Sequence, residues 1–446
     1  MKMKTQSRFV EVASLLTVKN NQFLSDGKPF FWLADTCWSA FTNISESDWH
    51  YYLDQRQRQG FNVVQINVLR QWDASGSSLD IDPFPIVKTD QGYFYDYSVI
   101  NSEYFDRAER MLQDVVNHGM TPALVLLWSN YVPGTWASKL ARNNLFTYNH
   151  LADYVTYVTR RFAKFHPVYF ISGDTDFPTD ETVRYYQRVL TTAQENDHQA
   201  LYSFHIKGRL QEIPEEFRET TDFFSYQSGH NLAGQATAYT IPQTLLKMGY
   251  SKPIVNTEPC YEQISYSRNL YGRYRPENVR QAAWSAVLSG ASAGITYGAH
   301  GIWSWHTTGA SFGIVEGEGF DTPFDWRDAL KFPGATDMTL LKTVMQRYFI
   351  KGCLPISEPV AEKPSIRAAN DRDGDAYVIY VPTNTVLDLT QMTGMNRANA
   401  RITVLDLDSK QVEHGVWMTS NKMALSSALS DSLVVVQRME DNQNVQ

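Results

Sequence analysis

The chain has 446 residues, 43% hydrophobic and 20% charged, too long for one small domain and balanced like a soluble globular protein. With 40 basic against 48 acidic residues and a net charge of −8, it carries no basic stripe, so nucleic acid is not an expected partner. Cys37, Cys260 and Cys353 are too few and too widely spaced for a zinc site or a disulfide framework.

No apolar run reaches the ~18 residues of a membrane span, so no membrane partner is expected. The basic start, Met1 to Arg8, leads into sequence broken by Glu11 and Ser14 and has no signal-like apolar core. The expected location is cytoplasmic as the chain stands, or periplasmic or secreted if a signal peptide has been removed. Nothing in the residues points to a particular oligomeric state.

In chain order, Leu16 to Asp26 reads as a hairpin able to close the bottom of a barrel. From about residue 30 to 350 strand and helix signals then alternate, which predicts a parallel sheet of βα units. Expected strands are Phe30–Asp35, Phe61–Leu69, Thr121–Trp128, a run ending at Asp174, Ala200–His205, Asp222–Gln227, a run ending at Glu258, and Ala293–Tyr297. Between them, Ser45 can cap a helix with Asp48 three residues on. Phe105, Ala108, Met111, Leu112, Val115 and Val116 share one helical face, and so do Leu151, Tyr154, Val155, Val158, Phe162 and Phe165. Eight strands alternating with helices make a (β/α)8, or TIM, barrel, placed over residues 1–352.

After Cys353 the texture changes to short alternating runs such as Ala376–Val381, Arg401–Leu405 and Ser432–Val436. Residues 353–446 are therefore expected to form a small antiparallel β-sandwich. The Asp371–Asp375 run resembles part of a calcium loop but lacks the distal Glu and flanking helices, so a turn is expected. Aromatics are sparse here, which suits a supporting module. The polar tail, Glu440 to Gln446, is expected to fray.

In a barrel of this kind, residues at the strand C-termini share one mouth. Two apolar strands end on carboxylates: Val168 to Asp174, and Ile254 to Glu258. Glycoside hydrolysis requires two carboxyl groups flanking one bond, and strands four and seven lie across the mouth, so Asp174 and Glu258 are the expected catalytic pair. A nucleophile must be ionised, and Arg70 or Tyr261 is a candidate to keep Glu258 so. The acid must hold its proton, and Phe177 and Trp128 are candidates for the apolar wall of Asp174. Expected substrate-binding residues are Asp35, Trp38, Arg70, Trp72, Trp128, Asp176, His205, Gln227, Tyr261, Tyr297, His300 and Trp303, with the indoles as stacking platforms. His230 and His306 also fall near strand ends. No cofactor or metal is expected.

Several segments resemble the apiosidase-like glycoside hydrolases: Leu24 to Trp38, Gly60 to Gln65, Ser172-Gly173-Asp174-Thr175, Asn256-Thr257-Glu258-Pro259 with Tyr261-Glu262, and Tyr297 to Trp303. The resemblance spans nearly the whole chain, including a C-terminal β-sandwich of the collagen-binding type. It implies an oligosaccharide substrate and a retaining mechanism, with Asp174 as acid/base and Glu258 as nucleophile. Ser172 stands where a second Gly is expected and Asp176 where Asn is common, which makes Asp176 a competing acid. The leading expectation is an exo-acting retaining glycosidase on plant-type or microbial oligosaccharides, with apiose as a candidate sugar. Two other readings are a barrel that binds carbohydrate without cleaving it, and a metal-dependent hydrolase using His205, His230 and His300. The second lacks a His-x-His pair on strand one.

Overall fold

The fold is that of a computed structural model. It describes residues 14–439 apart from 91, 142–143, 268–269, 314–318, 357–359, 361–364, 391, 393–394, 396, 414 and 427–429. The basic start and the tail from Glu440 lie outside the described residues.

Eight strands form one parallel sheet: β1 (Trp32–Thr36), β2 (Val63–Asn67), β3 (Thr121–Trp128), β4 (Val168–Gly173), β5 (Leu201–Ser203), β6 (Phe224–Gln227), β7 (Ile254–Glu258) and β8 (Gly294–Tyr297). Their spatial order is β5-β4-β3-β2-β1-β8-β7-β6. The seam between β5 and β6 is bridged from the flanking residues. The Asp222 amide donates to the Tyr202 carbonyl at 2.9 Å, Ser203 Oγ to Phe223 O at 2.7 Å and Ser225 Oγ to Phe204 O at 2.6 Å.

Each strand is followed by a helix: α1 (Glu46–Arg58), α2 (Ser102–Asn117), α3 (Tyr148–Phe162), α4 (Asp180–Asn196), α5 (Glu215–Thr220), α6 (Thr237–Lys247), α7 (Pro276–Val287) and α8 (Gly334–Tyr348). Ser45 caps α1 by accepting the Asp48 amide. The apolar stripes of α2 and α3 are buried against the barrel. β1 begins at Trp32, not Phe30, because Lys28–Phe30 is a third strand of the N-terminal hairpin sheet. That sheet plugs the barrel floor: the Phe23 ring is fully buried, with its centroid 5.2 Å from Phe223 and 5.9 Å from Trp32.

The C-terminal region is built of antiparallel sheets of six and three strands, the larger beginning at Cys353–Pro355. Strand alternation gives the larger sheet two apolar faces. Ile379, Val381, Val434 and Val436 meet Leu387 and Met423 of the smaller sheet, whereas Val378, Tyr380, Leu433 and Val435 pack on the barrel. A buried cluster ties the two regions together. Arg280 of α7 contacts Asp431 at 2.7 and 2.9 Å and Asp337 of α8 at 2.9 Å, and Lys410 also reaches Asp337.

Asp371–Asp375 forms the expected turn, with Asp371 Oδ1 accepting the amides of Asp375 and Ala376 and Gly374 at φ +73°. Among the described residues no helix is long and apolar enough to cross a membrane.

Candidate active site

The C-terminal ends of the barrel strands surround a cavity of about 340 Å³. Asp174 follows the last residue of β4 with φ +51°, a left-handed conformation uncommon outside Gly, Asn and Asp. Its carbonyl accepts from Trp136 Nε1 at 2.8 Å. Gly173 is required just before it: a Cβ there would lie 2.1 Å from the Trp128 ring. Ser172, which departs from the family pattern, donates its hydroxyl to the His205 carbonyl at 3.0 Å, tying β4 to the segment after β5.

Glu258 closes β7. A register shift between Tyr226 and Gln227 sets Gln227 opposite Glu258 in the β6–β7 ladder. Two imidazoles grip the carboxylate, His205 Nε2 at 3.1 Å from Oε2 and His230 Nε2 at 2.9 Å from Oε1. His205 is itself fixed by Thr257 Oγ1 at 3.0 Å from Nδ1 and by the rings of Trp38, Trp128 and Phe170. Gln227 Nε2 donates to Asp174 Oδ1 at 3.2 Å.

The environments push the two carboxyls apart. Burial would raise Glu258, but the hydrogen bonds from His205 and His230 outweigh it and bring the group down to about 2. Asp174 is raised well above the ordinary carboxyl range, first by burial and then by the charges of Glu258 and Asp73. The surroundings thus favour the carboxylate form of Glu258 and the protonated form of Asp174, opposite biases of the kind that acid-assisted displacement at a glycosidic bond uses.

Of the expected residues, Trp38, Trp72, Trp128, Gln227, Tyr261 and Trp303 line this cavity together with Asp174 and Glu258. His205 stands one layer behind, on Glu258. Asp176 accepts the Trp136 amide at 3.2 Å and lies 3.8 Å from Lys207, beside the cavity and not in its wall.

Four residues do other work. Asp35 points into the helix layer, where Arg56 and Tyr52 of α1 contact it at 2.6 and 2.7 Å. Arg70 pairs with Asp82 at 2.6 Å, so the histidines, and not Arg70, hold Glu258 ionised. Tyr297 donates to buried Glu262 at 2.6 Å. His300, kept neutral by burial with a pKa of about 3, donates to Asp321 O and accepts from Trp303 Nε1, so it orients an indole that lines the cavity. Phe177 packs with Tyr186, Phe204 and Phe217 away from the cavity. The aromatic wall near Asp174 is Trp128 and Trp136.

Sequence reading missed Gln71, Asp73, Trp136, Lys207 and Arg209 in the wall. All lie in loops past the strand ends, where periodicity gives no signal. His230 was legible as a residue near the end of β6 but not as a partner of Glu258. The three histidines considered for a metal do not converge: two engage Glu258 and the third serves Trp303.

A (β/α)8 barrel presenting two carboxyls with oppositely displaced pKa values in an indole-lined cavity defines the class of the glycosidases. The chain belongs to the apiosidase-like catalytic-domain family, whose model matches residues 18–351. Solved structures share the fold. One described as a glycoside hydrolase aligns at TM-score 0.76 and 20% identity, covering 97% of this chain and 99% of its own. A family 5 glycoside hydrolase from Bacteroides vulgatus gives 0.75 and 20%, covering 97% and 94%. An endo-1,4-β-mannanase from Rhizomucor miehei gives 0.50 and 15%, covering 75% of this chain and all of its own. At these identities the likeness extends to the fold alone. No protein of curated function matches the sequence.

Proposed function

We propose that the protein is an exo-acting retaining glycosidase in which Asp174 is the acid/base and Glu258 the nucleophile. The opposite displacement of two carboxyl pKa values in one cavity carries the reading. In the first step a Glu258 oxygen attacks the anomeric carbon, the bond to the leaving oxygen breaks, and Asp174 gives that oxygen its proton. In the second, Asp174 takes a proton from water, which attacks the same carbon and releases Glu258. Retention requires the two carboxyls about 5 to 5.5 Å apart.

Exo action is supported by the small indole-walled cavity, which suits a terminal sugar. Apiose is the proposed sugar on the strength of the family, and plant-type or microbial oligosaccharides are the proposed substrates. Residues 353–446 are proposed as a supporting module that does not read substrate, consistent with the buried Arg280 cluster.

The test uses leaving-group dependence. Asp174→Ala should keep far more activity on dinitrophenyl glycosides, whose leaving group needs no proton, than on natural linkages, by about 10²- to 10⁴-fold. Added azide should restore its turnover. If Asp176→Ala shows this pattern and Asp174→Ala does not, the acid is misassigned.

A further inference from the structure

Asp73 has no part in the double displacement, yet it lines the same cavity as Asp174 and Glu258. We propose that Asp73 is a specificity-determining residue that accepts hydroxyl donors from the sugar bound between Asp174 and Glu258. The proposal rests on the glycosidase reading for where that sugar lies.

The residue is pre-set for the task. Gln71 Nε2 donates to Asp73 Oδ1 at 2.6 Å, and Asn67 of β2 donates to Gln71 Oε1 at 3.0 Å, so a chain of amides runs from the barrel strand to the carboxylate. Among the described residues Gln71 is the one side chain that donates to Asp73, which leaves acceptor capacity facing the cavity. An ionised carboxylate is acceptor-only and can serve two donors at once. Its neighbour Trp72 lines the same wall, 5.9 Å from Trp136 between ring centroids. A ring plane beside a fixed acceptor suits a sugar, with an apolar face on the indole and hydroxyl edges on the carboxylate. Asp73, Asp174 and Glu258 all line the one cavity of about 340 Å³, and their charges act on one another there.

Fastening the loop does not explain Asp73, because the loop is held without it. The Gly76 amide donates to Ser311 O at 2.8 Å, Asn43 Nδ2 to Ser75 O at 2.8 Å, and Ser75 Oγ lies 2.9 Å from His306 Nδ1. The ligand class that follows is a sugar with free hydroxyls at the Asp73 edge. A sugar deoxygenated or alkylated there should be rejected.

The test is equilibrium binding to the full-length protein, read by tryptophan fluorescence. D-apiose, D-xylose, D-mannose and L-arabinose are titrated first, followed by singly deoxygenated forms of the tightest binder. Wild type should reject at least one deoxy sugar by about 10- to 100-fold, the range of a hydrogen bond to a charged group. Asp73→Asn, which still offers Gln71 an acceptor, and Asp73→Glu, which keeps the charge but displaces it, should bind the parent sugar that much more weakly. Both should discriminate parent from deoxy sugar by no more than about twofold, with a melting temperature at pH 7 no lower than that of wild type. Retained discrimination in the variants overturns the proposal. So does uniform weakening of every sugar together with a lowered melting temperature, which marks a structural role. Because binding needs no turnover, the result stands apart from whether Glu258 is the nucleophile.

Discussion

Replacing His230 with Ala should move the acid limb of the pH profile, and the structure sets the size of the move. Glu258 lies at about 2 against an ordinary 4.5, a preference for the carboxylate of about 3 kcal/mol at about 1.4 kcal/mol per pH unit. Burial opposes that preference, so the two imidazoles together supply more than the net figure. A hydrogen bond to a charged group contributes about 1.5 to 3 kcal/mol. Losing the His230 bond should therefore raise Glu258 to roughly 3 to 4, and losing both above about 5. The assay is kcat/KM against pH on a dinitrophenyl glycoside, where Asp174 is not needed as an acid. Wild type should stay flat on the acid side until the fold fails, His230→Ala should show a limb near pH 3 to 4, and His230→Gln, which keeps a donor, should recover part of the shift. The same group bears on stability. Its folded pKa is depressed, so its stabilising contribution is full above about 4.5 and is lost as pH falls towards 2. An acid limb identical in wild type and His230→Ala would refute the assignment of His230 as the group that keeps Glu258 charged.

Three further outcomes are expected. Asp174 has a raised folded pKa, so it costs stability once pH exceeds the unfolded value of 3.8; Asp174→Asn should raise the melting temperature at pH 7 and make no difference near pH 3. Asp35→Asn should strand the fully buried Arg56 and cost up to about 3 to 5 kcal/mol in urea unfolding, while KM at 20 °C stays within about twofold because Asp35 faces away from the cavity. Arg280→Ala should cost a similar amount by leaving buried Asp431 without a cationic partner and Asp337 with Lys410 alone; an unchanged melting temperature would remove this cluster as the fastening of the two regions.

The barrel was legible because its strands are buried on both faces and read as unbroken apolar runs, Val168 to Ile171 and Thr121 to Trp128 among them. Asp174 and Glu258 were legible because each interrupts such a run at the end where barrel sites form. What a strand-end residue does was less legible, since adjacent positions point to opposite sides. Asp35, the last but one residue of β1, and Tyr297, the last of β8, turn outward to Arg56 and Glu262, whereas Trp38, three residues past Asp35, reaches the cavity. Loop residues carry no periodic signature, so Asp73 and Trp136 emerged only from tertiary contacts. The grip on Glu258 by His205 and His230 joins residues 53 and 28 positions away, and no local pattern reports such a pairing.

The central claim is that Glu258 forms a covalent bond to the sugar. A 2-deoxy-2-fluoro glycoside with a dinitrophenolate leaving group should be attacked readily and released slowly, because the fluorine slows both steps and the good leaving group restores the first. Intact-protein mass spectrometry should show one sugar added per chain, and peptide sequencing should place it on Glu258. Label on Asp174 or Asp73, or no label while ¹H NMR shows the inverted anomer as the first product, would contradict the account.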